Sequence, residues 1–520
     1  MWRWFACTVA VLVAGVAGED AIYRSRTDLQ PSRLNVTVYE DAKVSDEYLF
    51  LAPWVPGAIP QGQAHLGPHI FRSDGELVWS GNGYFGHSVS NFMPASYNGK
   101  PVTTFFEGSV TDTGVGAGSF RLMNQDFETI AKVGLKEPVL HDFHEFQMTS
   151  FRTAAFSTYL SVPYNFTGVE NSTDQNRWIY DNIVTEIDLH TDQVLFQWRA
   201  LDHVPVNDSK IKGTLVKDGK ESSAPFDYMH LNSITKDEFG NFLISCRHLW
   251  SLYYIDGSNG EIVWTLGLSD GGSEWEIDED AEFGYQHHAR WVDPALLNFE
   301  KEENVRYISL FDNGLSGGEY TESLHDYSRG IIIKLDQSPG ATQVEGKIGK
   351  VSLVQEFKPS DESELSSSQA SVQVLENGNV LIGWGSVPKV TEHTPDGKIV
   401  FEATINDGDY VSYRAFKGPF EGHPRDVPSI ISVYDYTKDI TTCYISWNGA
   451  TDVKTWTLSG GSSVNSFEEI KSDLPHNNFE EVYEYSGYLQ YTKVDAVDEG
   501  GKILGTGSCQ TYFQESEFQN

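Results

Sequence analysis

"LYYIDGSNGEIVW" (residues 252–264) sets a short apolar stretch, a turn of Asp, Gly, Ser and Asn, and a second stretch ending in an aromatic. DG and NG turns supply the positive φ that tight hairpins need, so the segment reads as a β-hairpin. The same plan recurs in "HIFRSDGELVW" (69–79), "TEIDLHTDQVLFQW" (185–198) and "VTEHTPDGKIVF" (390–401), and more weakly in "FRLMNQDFETIAKV" (120–133) and "IIIKLDQSPGATQVEGKI" (331–348). Ahead of several copies lies another strand pair, as in "GNFLISCRHLWSLYYID". Six copies at roughly 65 residues each suit four-stranded propeller blades with long loops. An array of β-sandwiches would show shorter, more even spacing, and long helical periodicity is absent. The expected fold is therefore all-β: a six-bladed β-propeller over 45–415, with a ring-closing strand in the segment 19–44 that contains "LNVTVYE". The Pro/Gly-rich stretch 416–430 reads as a linker. Residues 431–520 alternate around Trp447 and read as a fibronectin-III-like β-sandwich that braces the ring.

The 520-residue chain carries 74 acidic against 37 basic residues, a formal net charge of −37. So large an acidic excess repels phosphate backbones and anionic lipid, which argues against nucleic-acid and polybasic-type membrane partners. Residues 1–18 combine one early Arg, a short apolar run and small residues before Glu19, the pattern of a secretory signal peptide. The run is too short for a membrane anchor, and no later stretch approaches the roughly 18 apolar residues a spanning helix needs. Secretion to the extracellular space is the expectation, and sequons at Asn35, Asn165, Asn171 and Asn207 fit it. Cys7 leaves with the signal. Of the remaining three, Cys443 and Cys509 share the C-terminal segment and are expected to form a disulfide contributing about 4 kcal/mol, with Cys246 buried and free.

Five stretches carry the candidate chemistry. "DYMHLNSI" (227–234) holds His230 and Asn232, which period two would place on one face of a strand. "HDFHEFQMT" supplies His141 and His144 beside Glu145, and "ISCRHLW" supplies Arg247 and His248. "FGYQHHARW" carries His287, His288 and Arg290; "ISLFDNG" ends in Asp312 and Asn313, and "YSRG" adds Arg329. Each lies at a strand start or end in a different blade, where blades converge, so these groups should surround one anion-sized space. His141 and His248 read as histidines that merely satisfy backbone groups. A metal centre is disfavoured because Arg247 and Arg290 would set positive charge beside a cation, and HxH, HExxH and CxxC pairs are missing. A Ser–His–Asp hydrolase lacks its GxSxG signature. The acidic loop 269–284 lacks EF-hand spacing and reads as solvated rather than calcium-binding.

The ordered set "DYMHLNSITKDEFGNFLISCRHLW", "FGYQHHAR", "ISLFDNG", "SSSQASVQVLENGNVLIGWG" and "SWNGATDVKTW" resembles the arylsulfotransferase family, in its eukaryotic, mainly fungal branch, over nearly the whole mature chain. The resemblance implies a six-bladed propeller that moves a sulfuryl group between phenols without a nucleotide sulfate donor; a Walker-type loop is missing here. It implies His287 as the nucleophile, with "QHH" leaving His288 as the alternative. His230, Asn232, Arg247 and His144 match the family's other catalytic positions. Arg290, Asn313, Asp312 and Arg329 are expected to bind substrate. The bacterial members carry their extra β-domain at the N-terminus, whereas this chain adds one at the C-terminus. Chemistry supports these roles: a neutral imidazole can hold the sulfuryl group covalently, Arg247, Asn232 and His230 can receive its oxygens, and His144 can exchange the phenolic proton. No cofactor or metal is called for, and the partners are small phenols and aryl sulfates. The alternatives are a non-catalytic propeller binding an anionic aromatic or glycan, and a propeller hydrolase or lyase.

Overall fold

The computed structural model describes residues 23–39, 43–54, 67–111, 114–134, 141–169, 172–211, 219–267, 273–314, 324–361, 363–405 and 410–513. These fold into eight β-sheets joined by turns and short 3₁₀ segments. Six sheets come from residues 34–418, and all but one of their strand pairings are antiparallel. Sheet 1 runs in the order Val411–Gly418, Tyr48–Trp54, His69–Phe71, Leu77–Ser80. Sheets 2 to 4 are four-stranded meanders that begin with Ser88–Tyr97, Phe146–Met148 and Leu231–Lys236. Sheet 5 begins with His287–Val292 and sheet 6 with Ser371–Val374, and each carries a fifth strand at its outer edge.

The leading strands pack in succession: sheet 1 on 2, 2 on 3, 3 on 4, 4 on 5, 5 on 6, and 6 back on 1. Each of the six sequence hairpins is the outer hairpin of a different sheet. In the quoted stretch, Ser251–Ile255 pairs with Ile262–Leu266 and Gly260 takes φ 80°, a left-handed turn residue that a side chain would strain. Its aromatic terminus, Trp264, is buried with Leu252, Trp275, Leu310 and Ile331, between sheets 4 and 5. Period-two alternation thus places the strand aromatics in the layers between sheets.

The expected closing strand is corrected in its place. Leu34–Val38 adds to the outer edge of sheet 6, with Leu34 opposite Ile405. The beginning and end of the six-sheet region are instead joined by Val411–Gly418, which pairs with Tyr48–Trp54 (Tyr48 opposite Gly418) and extends three residues into the expected linker 416–430. Beyond it, Ser429–Phe513 forms two four-stranded sheets around Cys443, Trp447, Trp456 and Val494. Asn448 fastens this unit to sheet 1: its amide donates to Ser80 O and accepts from Ser80 N, both at 2.9 Å.

The expected Cys443–Cys509 disulfide is not formed; Cys246, Cys443 and Cys509 are all free thiols. Each C-terminal sulfur meets a hydroxyl instead. Ser432 Oγ lies 3.2 Å from Cys443 Sγ, Thr492 Oγ1 lies 3.2 Å from Cys509 Sγ, and the two hydroxyls are 2.7 Å apart. Asn35, Asn165 and Asn207 are exposed, while Asn171 and the expected signal peptide lie outside the described residues. Among the described residues, no helix is long and apolar enough to cross a membrane.

Candidate functional site

The candidate residues meet where the leading strands begin. His144 lies two residues before Phe146–Met148, His230 immediately precedes Leu231–Lys236, and His287 opens His287–Val292. Several of these entries are left-handed: His230 at φ 53°, Tyr285 at 53°, His288 at 57° and Gln369 at 68°. Non-glycine residues hold this conformation only where their surroundings over-determine it, and such places cluster at functional sites. The period-two argument for His230 and Asn232 therefore fails. His230 is not extended, and Asn232 falls at a register shift between Leu231 and Ser233.

Carboxylates orient two of the imidazoles. Asp142 Oδ1 is 2.5 Å from His144 Nδ1, and Asp227 Oδ2 is 2.6 Å from His230 Nδ1. The His144 and His230 rings meet edge-on at 4.6 Å, and His248 sits 4.6 Å from His230 on the other side. Among the described residues, no hydrogen bond engages Nε2 of His144 or His230. Burial pushes Asp227 up and His230 down, the latter helped by His144 and Arg247. With Nδ1 taken by Asp227, Nε2 is the ring atom His230 has left to offer a ligand.

His287 is held by a different device. Asn313 Nδ2 donates to the carbonyls of Ser366 (2.9 Å) and Gln369 (3.3 Å), which turns its Oδ1 toward His287 Nδ1 at 2.7 Å. The proton therefore sits on Nδ1, and the lone pair is on Nε2, where among the described residues only the Gln369 amide bonds it, at 3.3 Å. Burial, then Arg247, pushes His287 well below the usual histidine range, so the ring is neutral at pH 7. Arg247 stands on a 3₁₀ turn (Arg247–Leu249) rather than in the strand, 5.3 Å above the Tyr285 ring. Its Nη1 is 3.0 Å from His248 Nε2, whose Nδ1 is 2.6 Å from Asp227 O. His248, expected as a plain core histidine, is thus the group that positions Arg247. Asp227, His230 and His248 could by geometry hold a metal ion. These donors are already engaged with one another and with Arg247: His230 Nδ1 by Asp227 Oδ2, His248 Nδ1 by Asp227 O, and His248 Nε2 by Arg247 Nη1.

Other expected residues fall elsewhere. Asn232 is buried, and its amide donates to Gln286 O at 2.6 Å, so it positions the strand that carries His287. Arg290 donates to Glu145 at 2.5 Å. Arg329 donates to Asp312 (3.1 Å), Glu356 and the carbonyls of Asp280 and Glu282, and Asp312 also accepts from Gly284 N. These are a brace beneath the 280–284 turn, joined by His325 at 2.9 Å from Asp312; among the described residues neither Asp312 nor Arg329 bonds the rings of His144, His230 or His287. His288 turns from His287 because of the register shift, with Nδ1 3.1 Å from Val372 O. In the acidic loop Asp278 pairs with Lys350 at 2.9 Å, and residues 269–272 lie outside the described residues.

Sequence reasoning missed Asp142, Asp227, Arg414, Tyr413 and Gln369. Arg414 is fully buried and donates to Glu145 (3.1 Å), Asn91 (3.2 Å) and the Asn232 carbonyl (2.8 Å), tying sheets 1 to 4 together. An arginine inside the apolar run "VSYRAFKG" was its signal; carboxylates two and three places before His144 and His230 were the signal for the other two.

The model of one family, Arylsulfotransferase (ASST), matches residues 93–406. This chain belongs to the arylsulfotransferase (ASST) family. The match runs from within the leading strand of sheet 2 to the last hairpin of sheet 6 and includes every imidazole of the cluster described above. No curated protein matches. Among solved structures, a protein of unknown function from Bacteroides caccae is 12% identical, with 72% of this chain and 100% of that chain covered at a TM-score of 0.39. Apo AztD from Citrobacter koseri is 11% identical, covering 72% and 99%, at 0.33. The β-propeller domain of Myceliophteria thermophila Cps50 (Swd1) is 12% identical, covering 80% and 98%, at 0.30.

Buried histidines also set the acid limit of the fold. Burial holds His141 and His393 down to about 4 and keeps His230, His248, His287 and His288 lower than usual. The unfolded chain takes up these protons below about pH 6.5 while the folded chain refuses them, so stability falls as pH falls from 6.5 toward 4. Each such histidine contributes about 1.4 kcal/mol per pH unit in that window. Asp227, Glu47, Glu76 and Asp208, raised by burial, and His325, raised by its bond to Asp312, oppose the trend but are fewer. Thermal melts at pH 7, 6, 5 and 4.5 should show a falling midpoint; a flat or rising one would contradict the neutral buried imidazoles.

Proposed function

We propose that this chain is a secreted sulfotransferase of the eukaryotic, fungal-type branch that moves a sulfuryl group from an aryl sulfate to a phenol through a sulfohistidine at His287 Nε2, without a nucleotide donor. The six sheets are read as the blades of a six-bladed propeller, supported by the cyclic packing of their leading strands, and the C-terminal pair as a fibronectin-III-like sandwich. The carrying observation is the Asn313 clamp, which leaves a neutral His287 with its lone pair on Nε2.

In the first half-reaction the Nε2 lone pair attacks sulfur, the sulfur–aryl oxygen bond breaks, and protonated His144 gives its Nε2 proton to the leaving phenolate. The N-sulfo ring keeps its Nδ1–H on Asn313. In the second half, His144 takes the acceptor phenol's proton and the phenolate oxygen attacks sulfur, regenerating neutral His287. Arg247 and Nε2 of His230 face the developing charge on the sulfuryl oxygens. Arg247→Ala should lower turnover of a chromogenic aryl sulfate with added phenol by roughly 10²–10³-fold, the scale for losing one preorganised donor. Wild-type turnover that proceeds equally well without any phenol would mean hydrolysis, and no turnover in its presence would leave a binding protein.

A further inference from the structure

On the far side of the Glu145–Arg290–Arg414 cluster from His287, a cavity of about 310 Å³ opens between the leading strands. All six sheets line it, through Phe416, Pro94, Gln147, Thr235, Arg290 and Val372. His288 also faces it. This side chain is 3% exposed, and its Nε2 is buried without a partner, in contrast to the clamped His287. The cluster behind it holds two guanidinium groups on one carboxylate, so a positive charge is left over in a buried place. Asp293, the carboxylate at the rim, is exposed and turned to the amide of Ala295. Phe416, Met93 and Val372 give the cavity an apolar side, and Gln147, Thr235, Gln373, Arg290 and His288 give it a polar one that carries the surplus guanidinium.

We propose that this cavity is a second ligand site, separate from the imidazole cluster, for a small aromatic monoanion, with its ring against Phe416 and its anionic group between Arg290 and His288 Nε2. An anion there selects the tautomer in which the Val372 amide, 3.3 Å away, donates to Nδ1 and Nε2 carries the hydrogen. Burial and the two arginines keep His288 uncharged, so Arg290 supplies the charge and His288 a neutral donor.

Benzoate serves as the probe because it carries neither a sulfuryl group nor a phenol. Calorimetric titration of the full-length protein should show benzoate binding, weakened roughly tenfold or more in His288→Ala, the scale for losing one hydrogen bond to a charged group. Leu296→Trp, which fills the mouth from its rim without touching the buried cluster, should weaken it likewise; it stands as the second variant should His288→Ala misfold. His287→Ala should bind benzoate as the wild type does. Inorganic sulfate in parallel tests the ring's share and should bind at least tenfold more weakly. Loss of binding in His287→Ala, unchanged binding in Leu296→Trp, sulfate binding as tight as benzoate, or no benzoate binding by the wild type would each overturn the proposal.

Discussion

His287→Ala is expected to lower sulfuryl transfer by roughly 10⁴–10⁶-fold, the range for deleting a covalent nucleophile, with little change in the thermal midpoint. Both halves of the expectation follow from its surroundings. The ring is buried, yet its polar contacts are a single side chain, Asn313, and one long bond from the Gln369 amide. Asn313 keeps its two carbonyl partners when the ring is gone, and the Gln369 amide is the one donor that loses a bond, a long one. His288 cannot take over, because the register shift after His287 sends it toward Val372 and Phe416. Steady-state assays beside a melting curve check this. Activity within tenfold of wild type in a well-folded His287→Ala protein would move the nucleophile elsewhere.

Glu145→Ala is expected to cost about 3–5 kcal/mol of stability, the scale for removing one partner of a buried ion pair. Glu145 is fully buried and accepts from Arg290, Arg414 and the amides of Phe146 and Ile234, so one carboxylate links sheets 1, 3, 4 and 5. Its two arginines hold it below the usual carboxylate range against the burial that pushes it up. Truncation leaves both guanidinium groups facing each other in the interior without a counter-charge. Glu145→Gln keeps the shape and one of the two amide contacts, since only its carbonyl oxygen accepts, and should lose less. Urea unfolding of the three proteins measures the difference; a Glu145→Ala midpoint equal to that of wild type would show that the cluster carries no net stability.

The repeated hairpins were legible because turn chemistry and aromatic placement are local, and each copy became the outer hairpin of one sheet. Chain closure was not. Whether Leu34–Val38 or Val411–Gly418 joins the ends depends on which edge is free after the other strands have paired, and no single segment encodes that. At the site, His144, His230, Arg247 and His287 were found as residue types at strand ends, and the structure brings them together. Their roles depend on partners distant in sequence: Asn313 and Ser366 for His287, Asp227 and His248 for Arg247. Arg290 and Arg329 looked like binders of the transferred group because an arginine in sequence carries no sign of the carboxylate that will meet it. The thiols misled for a related reason. Cys443 and Cys509 share one segment and one core, yet the Ser432–Thr492 hydroxyl pair takes the contacts of both sulfurs.

The central claim is that His287 Nε2 carries the sulfuryl group between donor and acceptor. Mixing the purified protein with an aryl sulfate and no phenol, quenching at alkaline pH to preserve the N–S bond, and mapping the peptides by mass tests it directly. The account predicts one acid-labile sulfuryl group on the peptide that spans Tyr285–Arg290, lost on adding phenol and missing in His287→Ala. A label on the His144 or His230 peptide, or transfer to phenol with no labelled peptide at all, would contradict it.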